Sequence, residues 1–143
     1  MTEYETSLID TNILVYVFDA SEKEKHKIAK KILRKCWNNE ENYAVSLQNL
    51  SEFFVNVTKK VTKPIPKEKA SHIVKSIIDF AGFEKFFPTV ETIKKALDLC
   101  CNKNINYWDA LLIATMQDNS INHVYTENIK DFQIEGIHPI NPF

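Results

Sequence analysis

Leu8-Ile9-Asp10-Thr11-Asn12-Ile13-Leu14-Val15-Tyr16-Val17-Phe18 is the stretch that decides the fold. A short apolar run meets a carboxylate, and a second apolar run follows it. Leu8-Ile9 reads as a buried strand ending at Asp10, and Ile13–Phe18 as the helical segment after it. In an alternating α/β chain the carboxyl end of a strand is where the sheet opens its ligand crevice. Asp10 therefore has two readings. It caps the segment 12–18, or it faces the crevice, with Asn12 placed to orient it or to hold a ligand water.

Outward from this stretch the pattern alternates. Residues 22–37 form a charged amphipathic helix with Ile28, Ile32 and Leu33 on one side. Tyr43–Ser46 is a second strand, and Ser46 caps a helix over roughly 48–60 that carries Leu50, Phe53, Phe54 and Val57. Pro64 and Pro66 break the chain. Residues 67–80 form the next helix, with Ile73, Ile77 and Phe80 at helical spacing and Gly82 closing it. Phe86-Phe87-Pro88 is a brief strand, and Thr89 caps a helix that runs to about Cys101. Asn106 or its neighbour opens a helix holding Trp108, Leu111, Leu112 and Thr115. His123–Thr126 is a fourth strand, and residues 137–140 make a fifth after the turn at Gly136. This order predicts a mainly parallel central sheet of about five strands, covered by helices on both faces.

Bulk properties narrow the class. A chain of 143 residues with 44% hydrophobic residues is the size and composition of one soluble globular domain, 1–143. The longest apolar runs fall far short of the roughly 20 residues that a membrane span needs. Met1–Ser7 is polar and acidic, unlike a signal peptide. Cys36, Cys100 and Cys101 show no metal spacing and read as reduced thiols in a cytoplasmic protein. Gly82 and Gly136 are the only glycines, which excludes a glycine-rich phosphate loop. The net charge of −1 is low for a binder of phosphate backbones. The basic residues are concentrated, however: 22–35 holds seven Lys/Arg against two Glu, and 59–69 holds five Lys against one Glu. Such runs are solvated helix faces or cradles for a phosphate backbone.

The acids carry the chemistry. Glu52 lies between large apolar residues in a helix that begins after the second strand, where it can point back over the end of the sheet. Asp109 is the single charge in Tyr107-Trp108-Asp109-Ala110-Leu111-Leu112-Ile113-Ala114. A lone buried charge is costly without a partner, and a helix N-terminus offers only about 0.3–1 kcal/mol. Asp131 follows the fourth strand and reads as a turn residue or as a further acid at the same sheet edge. Two carboxylates about 4 Å apart repel by roughly 4 kcal/mol at an effective dielectric near 20. Asp10, Glu52, Asp109 and Asp131 together therefore call for a cation. Oxygen-only ligands suit Mg²⁺ or Mn²⁺ rather than zinc. His26, His72, His123 and His138 lack zinc spacing and read as surface or satisfied side chains.

These motifs resemble the PIN-domain family. Leu8–Leu14 looks like the opening of PIN domains, Ser46–Phe53 their second motif and Tyr107–Ala114 their third. Tyr125–Asn128 through Asp131-Phe132 is similar to the fourth, with Gly136-Ile137 and Asn141-Pro142-Phe143 closing the match over essentially the whole chain. The resemblance implies a three-layer α/β/α fold, a metal-dependent endoribonuclease acting on single-stranded RNA, a VapC-like toxin restrained by a cognate antitoxin, and a homodimer. Asp10 and Asp109, each a charge in an apolar setting that calls for a cation, are expected as the principal metal ligands. Glu52 and Asp131 would complete the shell, hold a second ion or position a water. Some relatives place the fourth acid where Asn128 stands and others where Asp131 stands. Asp131 is preferred here, with Asn12, Thr126 and Asn128 as supporting polar groups and Glu127 as a bystander.

Other readings compete. A phosphotransfer domain with Asp10 as nucleophile usually wants a second acid two residues on, where Asn12 stands. A non-catalytic RNA- or protein-binding module is the alternative to an enzyme, and an RNA-processing or quality-control nuclease is the alternative to a toxin. The RNA target is not readable from the sequence.

Overall fold

In the computed structural model, which describes residues 5–143, five strands form one sheet. They are β1 (Ser7–Ile9), β2 (Tyr43–Ser46), β3 (Phe83–Phe86), β4 (His123–Tyr125) and β5 (His138–Ile140), in the order β3-β2-β1-β4-β5. Every neighbouring pair is parallel, so the sheet is wholly rather than mainly parallel. Parallel neighbours need long crossovers. Most of that path is helix: α1 (Thr11–Phe18), α2 (Lys23–Trp37), α3 (Leu47–Val55), α4 (Lys67–Asp79), α5 (Val90–Lys103) and α6 (Tyr107–Asp118).

Successive strand side chains point to opposite faces, and the core divides accordingly. Leu8, Ala44 and Val124 pack with Ala96 of α5 and Leu112, Ile113 and Met116 of α6. Ile9, Tyr43 and Val45 pack with Ile13 of α1, Ala29 of α2, Phe53 of α3 and Ile77 of α4. The result is the expected three layers. In α6 every residue from Ala110 to Met116 is buried. An all-round apolar helix of this kind must lie inside the fold, which leaves Asp109 at the mouth of a buried segment.

Local departures from the sequence reading have physical reasons. The helix expected over 48–60 is α-helical only to Val55, and the chain then widens into one π turn over Asn56–Lys60. The third strand is Phe83–Phe86, not Phe86–Pro88: Phe83 pairs with Tyr43, whereas Pro88 has no N–H to donate. Phe87 is exposed. Gly82 does not close α4, whose C-cap is Phe80 in an extended conformation. A Cβ on Gly82 would run into the Phe80 ring, so any larger residue there requires that ring to move. Gly136 does serve its turn, with φ +85.

Candidate functional site

β1 ends at Ile9, and the next residue caps α1. Asp10 Oδ1 accepts from the Thr11 N–H at 2.7 Å, and Oδ2 accepts from Thr126 Oγ1 at 2.8 Å. The Asp10 N–H donates to the Tyr125 carbonyl at 3.0 Å, which fixes the acid where β1 and β4 end. Asp10 is thus a cap and an acid of the sheet edge at once.

Glu52 reaches the same edge from α3. Its Oε2 accepts from Thr11 Oγ1 at 2.9 Å and its Oε1 from Gln48 Nε2 at 2.9 Å. Thr11 Oγ1 accepts in turn from Asn49 Nδ2 at 3.0 Å, and Asn49 Oδ1 accepts from the Ser46 N–H at 3.2 Å. The capping box of α3 is therefore connected to Glu52 through Thr11. Gln48 Nε2 also donates to the Trp108 carbonyl at 3.1 Å, joining α3 to the start of α6.

Asp109 stands in the first turn of α6, whose N-cap Asn106 accepts from the Trp108 N–H at 2.9 Å. Asn128 Nδ2 donates to Asp109 Oδ2 at 2.9 Å and to Asp131 Oδ2 at 2.8 Å. Asn128 and Asp131, the two candidates for the fourth position, thus stand side by side. The Asn128 N–H donates to Thr126 Oγ1 at 3.0 Å, so the segment after β4 links Asp10 to Asp109. Asn12 lies apart. It is exposed and lines a groove with Asn56 and Lys60.

All four acids are partly buried. Among the described residues none of them forms an ion pair; the pairs lie elsewhere, as in Lys25–Glu127 and Lys95–Asp118. Burial raises the pKa of Asp10, and the charges of Glu52 and Glu127 add to the rise, while the hydrogen bonds from Thr126 and Thr11 oppose it. Burial also pushes Asp109 up, to about 7, helped by its contact with Asp131 and by the charges of Asp10 and Asp131; Asn128 partly offsets this. Among the described residues, no group of three or more His, Cys, Asp or Glu side chains is arranged to hold a metal ion as it stands. The donor chemistry nevertheless fits a hard divalent cation: carboxylate oxygens, surplus negative charge and, among the described residues, no ammonium or guanidinium paired with them. His123 and His138 lie at the amino ends of β4 and β5, with ring centroids 5.2 Å apart, on the opposite edge.

The PIN domain family model matches residues 7–133. This chain belongs to the PIN domain family. Solved structures of similar fold include a toxin–antitoxin complex from Klebsiella pneumoniae (23% identity, 96% of this chain and 98% of that chain, TM-score 0.64). Another is VapC20 from Mycobacterium tuberculosis, described as a sarcin–ricin loop cleaving toxin (15% identity, 82% and 85%, TM-score 0.65). A third is VapBC2 from Rickettsia felis bound to a promoter DNA fragment (19% identity, 95% and 98%, TM-score 0.64). No curated protein sequence matches the chain significantly.

Within this PIN domain the sequence reading missed the polar groups that hold Glu52. Thr11 follows Asp10 directly, and its buried hydroxyl is usable by Glu52 only because β1 and β2 are neighbours. Gln48, one turn before Glu52, carried a helical i, i+4 signal that was available. The Lys25–Glu127 pair, at 3.3 Å, gives Glu127 a cation of its own.

Proposed function

We propose that residues 1–143 form a single PIN-like endoribonuclease domain that hydrolyses phosphodiester bonds in single-stranded RNA with Mg²⁺ or Mn²⁺, as the toxin of a toxin–antitoxin pair. One observation carries this reading: four partly buried carboxylates share one sheet edge, and among the described residues no cation is paired to any of them. Asp10 and Asp109 are the principal ligands, and Glu52 and Asp131 complete the shell, hold a second ion or position the water. A divalent ion bound there supplies an activated water at neutral pH and offsets charge on the phosphoryl oxygens.

The chain's own groups prepare this arrangement. Thr126 and the Thr11 N–H fix the two Asp10 oxygens. Asn128 holds Asp109 and Asp131 together against their repulsion. Thr11 and Gln48 set the direction of Glu52. Asp109, titrating near neutrality in the metal-free chain, releases its proton on ligation, so affinity rises with pH.

The toxin role draws support from the similar structures, which include toxin–antitoxin complexes. The exposed Val90, Ile93 and Leu97 stripe of α5 suits a second copy or an antitoxin. Among the described residues no helix is long and apolar enough to cross a membrane, and Cys36, Cys100 and Cys101 are free. We place the protein in the cytoplasm. The purified protein is expected to cut single-stranded RNA with Mg²⁺ or Mn²⁺ and to stop on EDTA. Asp10→Asn and Asp109→Asn should each slow cleavage by on the order of 100-fold or more. Unchanged rates in both variants would sink the assignment of these acids, and a parent that does not cut with either metal would leave a non-catalytic binding module.

A further inference from the structure

Beside the acids lies an apolar cleft of about 660 Å³ between α3, the π turn, Pro88 and the start of α6. Its wall includes Leu47, Val55, Pro88 and Leu111, with Trp108 next to Asp109, Glu52 at its acidic end and Lys60 on its rim. Three features call for a ligand here. Trp108 is 58% exposed, although it is large and directly precedes the buried body of α6. Lys60, from the basic run 59–69, forms no ion pair among the described residues. The third is Gln48, also in the wall. Its Nε2 uses its two hydrogens on Glu52 Oε1 and the Trp108 carbonyl, which fixes the amide orientation. Its Oε1 is buried and has no hydrogen-bond partner among the described residues.

We infer that this cleft receives one nucleobase of the RNA strand, stacked on Trp108, next to the phosphate that faces the acids. The inference rests on the nuclease reading above and adds where the strand is gripped. A base is a flat apolar body with N–H donors on its edges, and unstacked bases in single strands are bound by aromatic stacking and edge hydrogen bonds. The apolar walls accept the ring, and the buried Gln48 Oε1 is an acceptor in the wall that an N–H meets once neighbouring side chains move aside. Lys60 supplies the cation for a flanking phosphate, which the acid cluster alone would repel. Glu52 belongs to both cleft and acid cluster, so a base seated here holds its neighbouring phosphodiester at the carboxylates.

The test is equilibrium binding of a short fluorescent single-stranded oligoribonucleotide in EDTA, where binding is read without cleavage. Cleavage of the same sequence in Mn²⁺ is scored separately. Trp108→Ala is expected to weaken binding by roughly 5- to 150-fold, with Trp108→Phe keeping most of the affinity. In a Trp37→Phe background, where Trp108 is the remaining tryptophan, RNA should quench the fluorescence. An oligonucleotide carrying one abasic position should lose affinity at a single register, and Trp108→Ala should erase that difference. Trp108→Ala binding like the parent overturns the subsite, as does a folded Trp108→Ala variant whose only change is a smaller solution mass, because Trp108 would then serve a protein interface. A parent that binds with quenching but does not cut in Mn²⁺ overturns the nuclease reading and leaves the subsite standing. A parent that neither binds nor cuts overturns both.

Discussion

Replacing Asp109 by Asn should make the metal-free protein more stable at pH 8, the reverse of the usual effect of altering a partly buried polar residue. Asn keeps an acceptor for Asn128 Nδ2 and removes the charge that faces Asp131 and Asp10. In the parent, the Asp109 carboxyl rises from the ordinary 3.8 to about 7. Native Asp109 therefore holds its proton through a window in which the unfolded chain has lost it. Stability falls as pH rises from about 4 to about 7, and above both values the full penalty is present. The upper bound is about 4 kcal/mol. Asp109 keeps part of its surface in water, and screening reduces the expected gain to about 1–2 kcal/mol. For a chain of this size that is roughly 3–7 °C in Tm. The assay is thermal denaturation by circular dichroism in EDTA at pH 8 and pH 5. Asp109→Asn should melt higher at pH 8, and the difference should shrink at pH 5. Added Mn²⁺ should raise the Tm of the parent and much less that of the variant. A variant that melts lower than the parent at pH 8, or a difference independent of pH, would refute the electrostatic reasoning.

Other perturbations separate support of the acids from the acids themselves. Thr126→Val removes the donor to Asp10 Oδ2 and the acceptor for the Asn128 N–H. It should weaken Mn²⁺ binding by about 10- to 100-fold, as loss of a ligand's hydrogen-bond partner does, and move the pH midpoint of binding upward; calorimetric titration across pH reads both. Thr11→Val leaves Asn49 Nδ2 and Glu52 Oε2 without the shared hydroxyl. RNA cleavage should fall by about 10- to 100-fold while far-ultraviolet circular dichroism stays unchanged; full activity would show that the Thr11 link does not set Glu52. Phe53→Ala opens a void under α3, where Phe53 is fully buried against Phe18. Urea denaturation should show a loss of about 3–5 kcal/mol, and a loss below 1 kcal/mol would mean that the core collapses around the site.

Asp10 and Asp109 were readable because each interrupts an apolar run, and a charge in that setting needs an explanation whatever the fold. Ser46, Thr89 and Asn106 were readable as caps because their short oxygen-bearing side chains suit that position, and all three act so. The third strand was misplaced because β3 pairs only with β2, and its Phe83-Glu84-Lys85-Phe86 carries the charges that edge strands tolerate. The apolar Phe86-Phe87-Pro88 next to it looked more strand-like. The π turn after α3 follows no residue pattern at that site and had no signal to read. Contacts such as Gln48 to the Trp108 carbonyl depend on how two helix starts meet across the sheet edge, which spacing along the chain does not encode. For the same reason the groove that Asn12 lines with Asn56 and Lys60 could not be read from its place two residues after Asp10.

The most direct measurement is single-turnover cleavage of single-stranded RNA by protein stripped with EDTA, before and after excess Mn²⁺, for the parent and for Asp109→Asn. Cleavage should be absent in EDTA, return with Mn²⁺ in the parent, and stay down by on the order of 100-fold or more in Asp109→Asn. Full cleavage in EDTA, or an Asp109→Asn variant that cuts at the parent's rate, would contradict a metal-dependent nuclease built on these four carboxylates.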